Sequence, residues 1–187
     1  EFAGIFSGLG VETTLSYRGP HILKEFDREV VNKLVVEMTK KGIDIRLNHN
    51  LYKFSHHQDG SVRVDHSDSD TLIVDDVLMA VGREPNTAGL GLENTAVTTR
   101  EDGTIEVFDQ FGTRDASIFA VGDVTGTVAL TPVALAEGMA LARYLFDGAP
   151  DAVVDYNGIP TTIFSQPNLA TVGLSEEQVL ASGKRAN

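Results

Sequence analysis

The chain has 187 residues, 42% hydrophobic and 22% charged, a globular composition long enough to bury one or two cores. Its formal charge of -12 and pI of about 4.7 argue against a nucleic-acid partner, because phosphate contacts need clustered Lys and Arg. No cysteine is present, which excludes a disulfide, a thiolate nucleophile or a Cys-based metal site in these residues, and every apolar run is interrupted well short of a membrane span. In chain order, "EFAGIFSGLG" (1–10) reads as a helix already under way. Phe2, Ile5, Phe6 and Leu9 share one face, and Gly10 supplies the stop. "VETTLSYR" (11–18) alternates as a strand does, Gly19-Pro20 breaks it, and Asp27 suits the N-cap of a helix over 28–41. Val30, Val31, Leu34, Val35 and Met38 form that helix's apolar face, Gly42 ends it, and "IDIRLN" (43–48) reads as the next strand. Helix, strand, helix, strand is the pattern of a doubly wound sheet.

From 51 to 81 the texture changes to "LYKF", "SVRVDH", "TLIV" and "DVLMAVG", with turns expected at Asp59-Gly60 and in the Ser/Asp cluster at 67–70. "GREPNT" (82–87) reads as a linker, followed by short strands around Asp102-Gly103. "ASIFAVGDVTGTVALTPVALAEGMALARYLF" (116–146) reads as strand, loop, helix: Ile118–Val121 is a short buried strand, Thr131 an N-cap, and Pro132 the first helical residue. Ala134, Leu135, Gly138, Leu141, Ala142 and Leu145 recur at helical spacing. "PDAVVDYNGIP" (150–160) is a second linker. "TTIFSQPNLATVGLS" opens on a β-branched strand, and Ser175, followed by Glu176 and Glu177, caps a last amphipathic helix. The lack of an N-cap before the first helix, and the early stop of the last one, suggest the middle of a longer protein.

Three features carry candidate chemistry. Asp123 is an acid among small and apolar residues, expected to be buried, at the end of a strand and close before a helix start; there it either hydrogen-bonds ligand hydroxyls or caps a turn. Arg18 closes the strand after the first helix, with Lys24 six residues on, so the pair either receives the extra phosphate of NADP or is solvated surface charge. The histidines at 21, 49, 56, 57 and 66 fall in turns and in the polar hairpins without metal-binding helical spacing, and solvated histidine is the expectation; no metal is assigned. The Ser/Asp cluster and Asp75-Asp76 lack the glycine and closing glutamate of an EF-hand loop.

"EFAGIFSGLGVE", "YRGPHILKEFD", "LMAVGREPNT", "IFAVGDVTGTVALTPVALAEG" and "IPTTIFSQPNLATVGLSEEQ" stand in one order along nearly the whole chain. Together they resemble the pyridine nucleotide-disulfide oxidoreductases, on the glutathione reductase branch. The resemblance implies an α/β fold: residues 1–84 the C-terminal part of a doubly wound NAD(P)-binding domain with an antiparallel β hairpin, 85–156 the second segment of an FAD-binding domain, and 157–187 the start of an α+β interface domain. It makes Glu1 a catalytic-site residue, partner of a lysine beside the flavin. Arg18 and Lys24 become a clamp for the NADPH 2'-phosphate, Gly82 a backbone contact to NADPH, and Thr162 a neighbour of the nicotinamide. Asp123 becomes a ligand of the flavin ribityl chain, with Ala129, Leu130 and Thr131 beside the pyrimidine edge of the ring. A helix start aimed there favours the negative charge of reduced flavin by about 0.3 to 2 kcal/mol.

The implied activity is an NADPH-dependent, FAD-containing reductase of glutathione disulfide, cytoplasmic and homodimeric, with no membrane or nucleic-acid partner. Alternatives are trypanothione, glutathione amide, lipoamide or mercuric ion as substrate, or a noncatalytic nucleotide-binding module. Three departures from the family pattern stand out. Lys24 supplies charge without the bidentate fork of an arginine. Met139 stands where some glutathione reductases hold glutathione with an arginine, and Asn168 replaces a proline. The family's redox cysteines, first glycine motif and His-Glu pair are not among these residues, so this stretch by itself is expected to be inactive.

Overall fold

The computed structural model describes residues 1–67, 70–150 and 152–183. It is a mixed α/β structure that divides into two compact units, Glu1–Met79 with Asn157–Asn187, and Ala80–Tyr156. Asp68 and Ser69 of the Ser/Asp cluster, Asp151 of the second linker and the last four residues lie outside the described residues.

In the first unit α1 (Phe2–Gly8) precedes β1 (Thr14–Tyr17), α2 (Arg28–Lys40) and β2 (Asp44–Leu47). β1 and β2 pair in parallel, Leu15 opposite Ile45 and Tyr17 opposite Leu47, so α2 is the crossover of a βαβ unit. Val31, Leu34 and Met38 of α2 pack with Ile22, Ile43 and Leu169 into the core, with Leu15 and Ile45 against it. Val30 was expected on that face but is half exposed, because the stripe that meets the sheet follows 31, 34 and 38. Asp27 occupies the N-cap position, yet its carboxylate accepts the Glu176 amide at 3.2 Å instead of capping α2. Gly42 takes φ +91°, the left-handed conformation that turns the chain out of the helix, and nothing near it would obstruct a Cβ. The apolar face read on α1 is largely exposed, and its one buried residue is Gly4.

Beyond β2, the strands β3 (Leu51–His56), β4 (Val62–His66) and β5 (Thr71–Val74) form an antiparallel meander in which β4 is central, with Phe54 opposite Val64 and Leu72 on the other side. Asp59-Gly60 makes the expected turn: Gly60 lies at φ +92° and Asp59 accepts the Ser61 amide at 3.0 Å. β4 alternates strictly, Val62, Val64 and His66 buried and Arg63 exposed. "DVLMAVG" is not a strand. Leu78, Met79 and Val81 are exposed and, among the described residues, no strand lies alongside to supply a ladder.

The second unit is held by short turns and one long helix, α3 (Thr131–Phe146). Thr99 bridges Ile105 around Asp102-Gly103, whereas Ile118–Val121 contributes a single bridge, Gly112 to Phe119, and not a strand. α3 starts one residue earlier than expected: the N-cap is Leu130, whose carbonyl accepts the Val133 and Ala134 amides at 3.0 Å each, and Thr131 is already helical. Its buried stripe is Val133, Glu137 and Ala140; Leu135 and Leu145 face solvent.

The chain then returns to the first unit. β6 (Thr161–Ile163) pairs antiparallel with β7 (Leu169–Thr171), and the Gln166-Pro167 peptide between them is cis. α4 (Glu176–Ala181) begins with a complete capping box between Ser175 and Gln178, as the Ser175 reading anticipated in part. No helix among the described residues is long and apolar enough to cross a membrane.

Candidate functional site

Asp123 lies in a tight turn, Gly122–Thr125, that packs on the first turns of α3. Gly122 is required there twice over. Its φ is +75°, and a Cβ would stand 3.1 Å from the Ala134 Cβ. Gly126 closes the turn at φ +72°, where a Cβ would meet the Thr104 side chain at 2.9 Å. The turn aims Asp123 outward. Its side chain is 50% exposed, with Arg83 Nη2 at 3.9 Å from Oδ2, so the acid read as buried is open to a ligand. The small apolar residues around it misled because the backbone reverses at Gly122.

The buried acid of this unit is Glu137, 0% exposed and not singled out from sequence. Its Oε2 accepts the Gly122 amide at 2.5 Å, and its Oε1 accepts the hydroxyls of Tyr156 at 2.7 Å and Thr127 at 3.1 Å. A fully buried carboxyl group with three donors fixes the turn that carries Asp123 to the helix that follows it. Burial, and then the bond to Glu137, push the Tyr156 phenol up to about 12. The signal for Glu137 was present, since it occupies the stripe of Val133 and Ala140 at i+4 and i-3.

These residues fit the flavin-facing role implied by the resemblance. Asp123 offers exposed acceptor oxygens. At the α3 start Pro132 has no amide proton, and Val133 and Ala134 close on Leu130, which leaves the Thr131 amide for a ligand or water. Ala129 and Thr131 are exposed and Leu130 is half-buried. Gly82, in the same unit, is exposed at φ +145°, with nothing within 4 Å of a Cβ position.

In the first unit Arg18 follows the C-terminal end of β1, exposed and without an ion pair among the described residues. Lys24 is exposed as well, 3.7 Å from Glu25. Glu1 and the β6 region are brought together: Glu1 Oε1 accepts the Phe164 amide at 2.8 Å, and Thr162 lies two residues before it, opposite Ala170. Placing the first residue against a strand 163 positions away is tertiary information, and sequence spacing carried no sign of it.

The family model for "Pyridine nucleotide-disulphide oxidoreductase" matches residues 1–138. The chain belongs to that family. A glutathione reductase of Burkholderia cepacia is 43% identical over 178 residues, covering 95% of this chain and 39% of that protein. A trypanothione reductase of Trypanosoma congolense is 38% identical over 185 residues, 97% of this chain and 37% of the relative. Among solved structures, the HOCl-induced flavoprotein disulfide reductase RclA from Escherichia coli superposes with a TM-score of 0.91 at 31% identity, over 97% of this chain and 41% of that one. The chain thus spans about two fifths of the length of the proteins it matches.

The histidines divide in a way the sequence reading did not foresee. His49 and His66 are buried, at 6% and 3% exposure, and stack with ring centroids 3.5 Å apart. His49 follows the turn at Asn48, which ends β2 at φ +54°, and His66 sits on the Val62 and Val64 face of β4. The period-2 pattern of β4 marked His66 as inward-facing; the pairing with His49 came only with the fold.

Proposed function

We propose that this chain is the central part of an NADPH-dependent, FAD-containing disulfide reductase acting on glutathione disulfide. The observation that carries the reading is the basic pair at the end of β1. In a dinucleotide-binding βαβ unit the end of the strand that follows the first helix meets the adenosine ribose, where an acid suits a free hydroxyl and a base suits a phosphate. Arg18 stands at the end of β1, which follows α1, exposed and without an ion pair among the described residues, with Lys24 beyond it. Bound FAD would supply a two-electron relay between nicotinamide and a disulfide. The residues of this chain bind and orient. Arg18 and Lys24 neutralise the 2'-phosphate, and Gly82 offers backbone to NADPH. Asp123 accepts hydroxyls of the ribityl chain, and the α3 start at Ala129, Leu130 and Thr131 faces the pyrimidine edge. Glu1 and Thr162 stand on the nicotinamide side. The reading keeps the division at 84 and 156 into nucleotide, flavin and interface domains, and a cytoplasmic homodimer.

A second substrate, trypanothione or another glutathione conjugate, is favoured by one observation. Met139 is exposed on α3 and offers no charge for a glutathione carboxylate. Steady-state assays of the full chain, with NADPH and NADH against a panel of disulfides, test both readings. Glutathione disulfide with NADPH is expected to give the highest kcat/KM. Preference for a cationic conjugate would move the substrate, and equal use of NADH would remove the phosphate clamp.

A further inference from the structure

Three elements of the first unit bring a second group of chemistry-bearing side chains together, apart from the residues assigned above. His49 follows β2, His66 ends β4 and Asp70 precedes β5. One nitrogen of each imidazole and one oxygen of the carboxylate all lie within 4.8 Å of one another. His49 Nε2 is 3.3 Å from Asp70 Oδ2, while its Nδ1 is 3.0 Å from the Ser16 hydroxyl on β1. The same hydroxyl lies 3.4 Å from His66 Nε2. Asp70 also accepts a bond from Arg46 Nη1 and, through Oδ1, from the Thr71 amide at 2.9 Å.

From this convergence we propose that His49, His66 and Asp70 form a site for one divalent transition-metal ion of the zinc class. Two imidazoles and a carboxylate are the donor set that such ions take with an open fourth position. Ligand atoms about 2.0 to 2.1 Å from a tetrahedral ion stand roughly 3.4 Å apart, so the 3.3 Å separation of His49 Nε2 and Asp70 Oδ2 is already an edge of the site. The remaining separations, all within 4.8 Å, close as the two stacked rings, 3.5 Å apart, turn about their side-chain bonds and shift by about an ångström. Ser16 holds the far nitrogen of His49, the outer-shell contact that fixes ring orientation in such sites. Packing alone does not call for a histidine at 66: Val62 and Val64 fill the same buried face with apolar side chains. On binding, the ion would replace the direct contact between His49 Nε2 and Asp70 Oδ2, with the neutral imidazole carrying its one proton on the Nδ1 that faces the Ser16 hydroxyl, and Arg46 keeps its second partner, Asp44, at 2.8 Å.

The test uses the full chain, purified without a histidine tag, stripped with chelator and dialysed against Zn2+, with bound metal counted and affinity read by titration calorimetry. One equivalent is expected, with X-ray absorption showing imidazole and oxygen neighbours. Asp70→Asn should weaken binding at least ~10-fold, the loss that changes beyond the ligands alone already bring. His66→Val, which suits the Val62 and Val64 face, should abolish binding while circular dichroism stays unchanged. His56→Asn with His57→Asn, on the exposed hairpin, should leave it intact. Absence of saturable Zn2+ binding would overturn the proposal, as would sulfur neighbours, unchanged affinity in both Asp70→Asn and His66→Val, or loss of binding in the His56/His57 variant.

Discussion

Replacing Glu137 by leucine tests whether one buried side chain holds the Asp123 turn in place. Leucine keeps most of the volume of the position and removes every acceptor. The Tyr156 and Thr127 hydroxyls reach solvent and can turn to water, but the Gly122 amide is buried and loses its 2.5 Å partner. An unsatisfied buried donor costs about 1 to 3 kcal/mol, while removal of a fully desolvated acid returns part of its own burial cost, so the net local loss is about 2 kcal/mol. Hydrogen exchange by mass spectrometry on peptides covering 118–130 of the full chain reads this directly, and about 2 kcal/mol is roughly a 30-fold faster exchange at Gly122. Glutamine is the control. Its amide oxygen can serve Gly122 while its NH2 donates to the two hydroxyls, so Glu137→Gln should lose less than ~1 kcal/mol. Equal protection in wild type and Glu137→Leu, or equal losses in the two variants, would refute the anchoring role.

Other outcomes follow from the same contacts. Arg18→Glu should lower kcat/KM for NADPH about 10- to 100-fold and leave NADH little changed, the range of one charge-assisted contact to phosphate. The phenol of Tyr156 is raised from 10.0 to about 12, so its contribution to stability is complete below pH 10 and is lost as pH rises through 12. With Tyr156 41% exposed, solvent screening reduces that contribution to about 1 kcal/mol, and Tyr156→Phe should abolish this part of the alkaline loss in denaturant titrations. Gly122→Ala meets both a left-handed φ and the Ala134 side chain, and should lower the thermal midpoint by the equivalent of about 1 to 3 kcal/mol. Leu34→Ala, in the α2 core, should cost about 2 to 5 kcal/mol in chemical unfolding.

What the sequence disclosed divides along a physical line. β1, α2 and β2 were legible because α2 repeats apolar residues at helical spacing and Gly42 ends it in a conformation few other residues tolerate. The Asp59-Gly60 turn was legible for the same local reason. "DVLMAVG" and Ile118–Val121 were read as strands from composition, but a strand is defined by its neighbour, and the described residues place none beside the first and one bridge beside the second. Asp123 was rightly set before a helix start and wrongly taken as buried, because exposure follows from the reversal at Gly122 and not from the side chains on either side. Glu137 and His66 sat in plain periodic patterns with apolar neighbours; hydropathy reads such residues as interruptions when they are buried polar anchors. The Glu1 contact with the Phe164 amide could come only from the folded chain.

The central claim is that the Asp123 turn and the start of α3 bind FAD, and flavin content measures it most directly. The full chain is purified, denatured to release its cofactor, and the flavin identified and counted by chromatography against protein, for wild type and for Asp123→Ala. FAD near one per chain in the wild type, and a loss of ~10-fold or more in affinity for added FAD in the variant, is the expected result. Protein that carries no flavin and binds none when FAD is added, or an Asp123→Ala chain that holds FAD as tightly as the wild type, would contradict it.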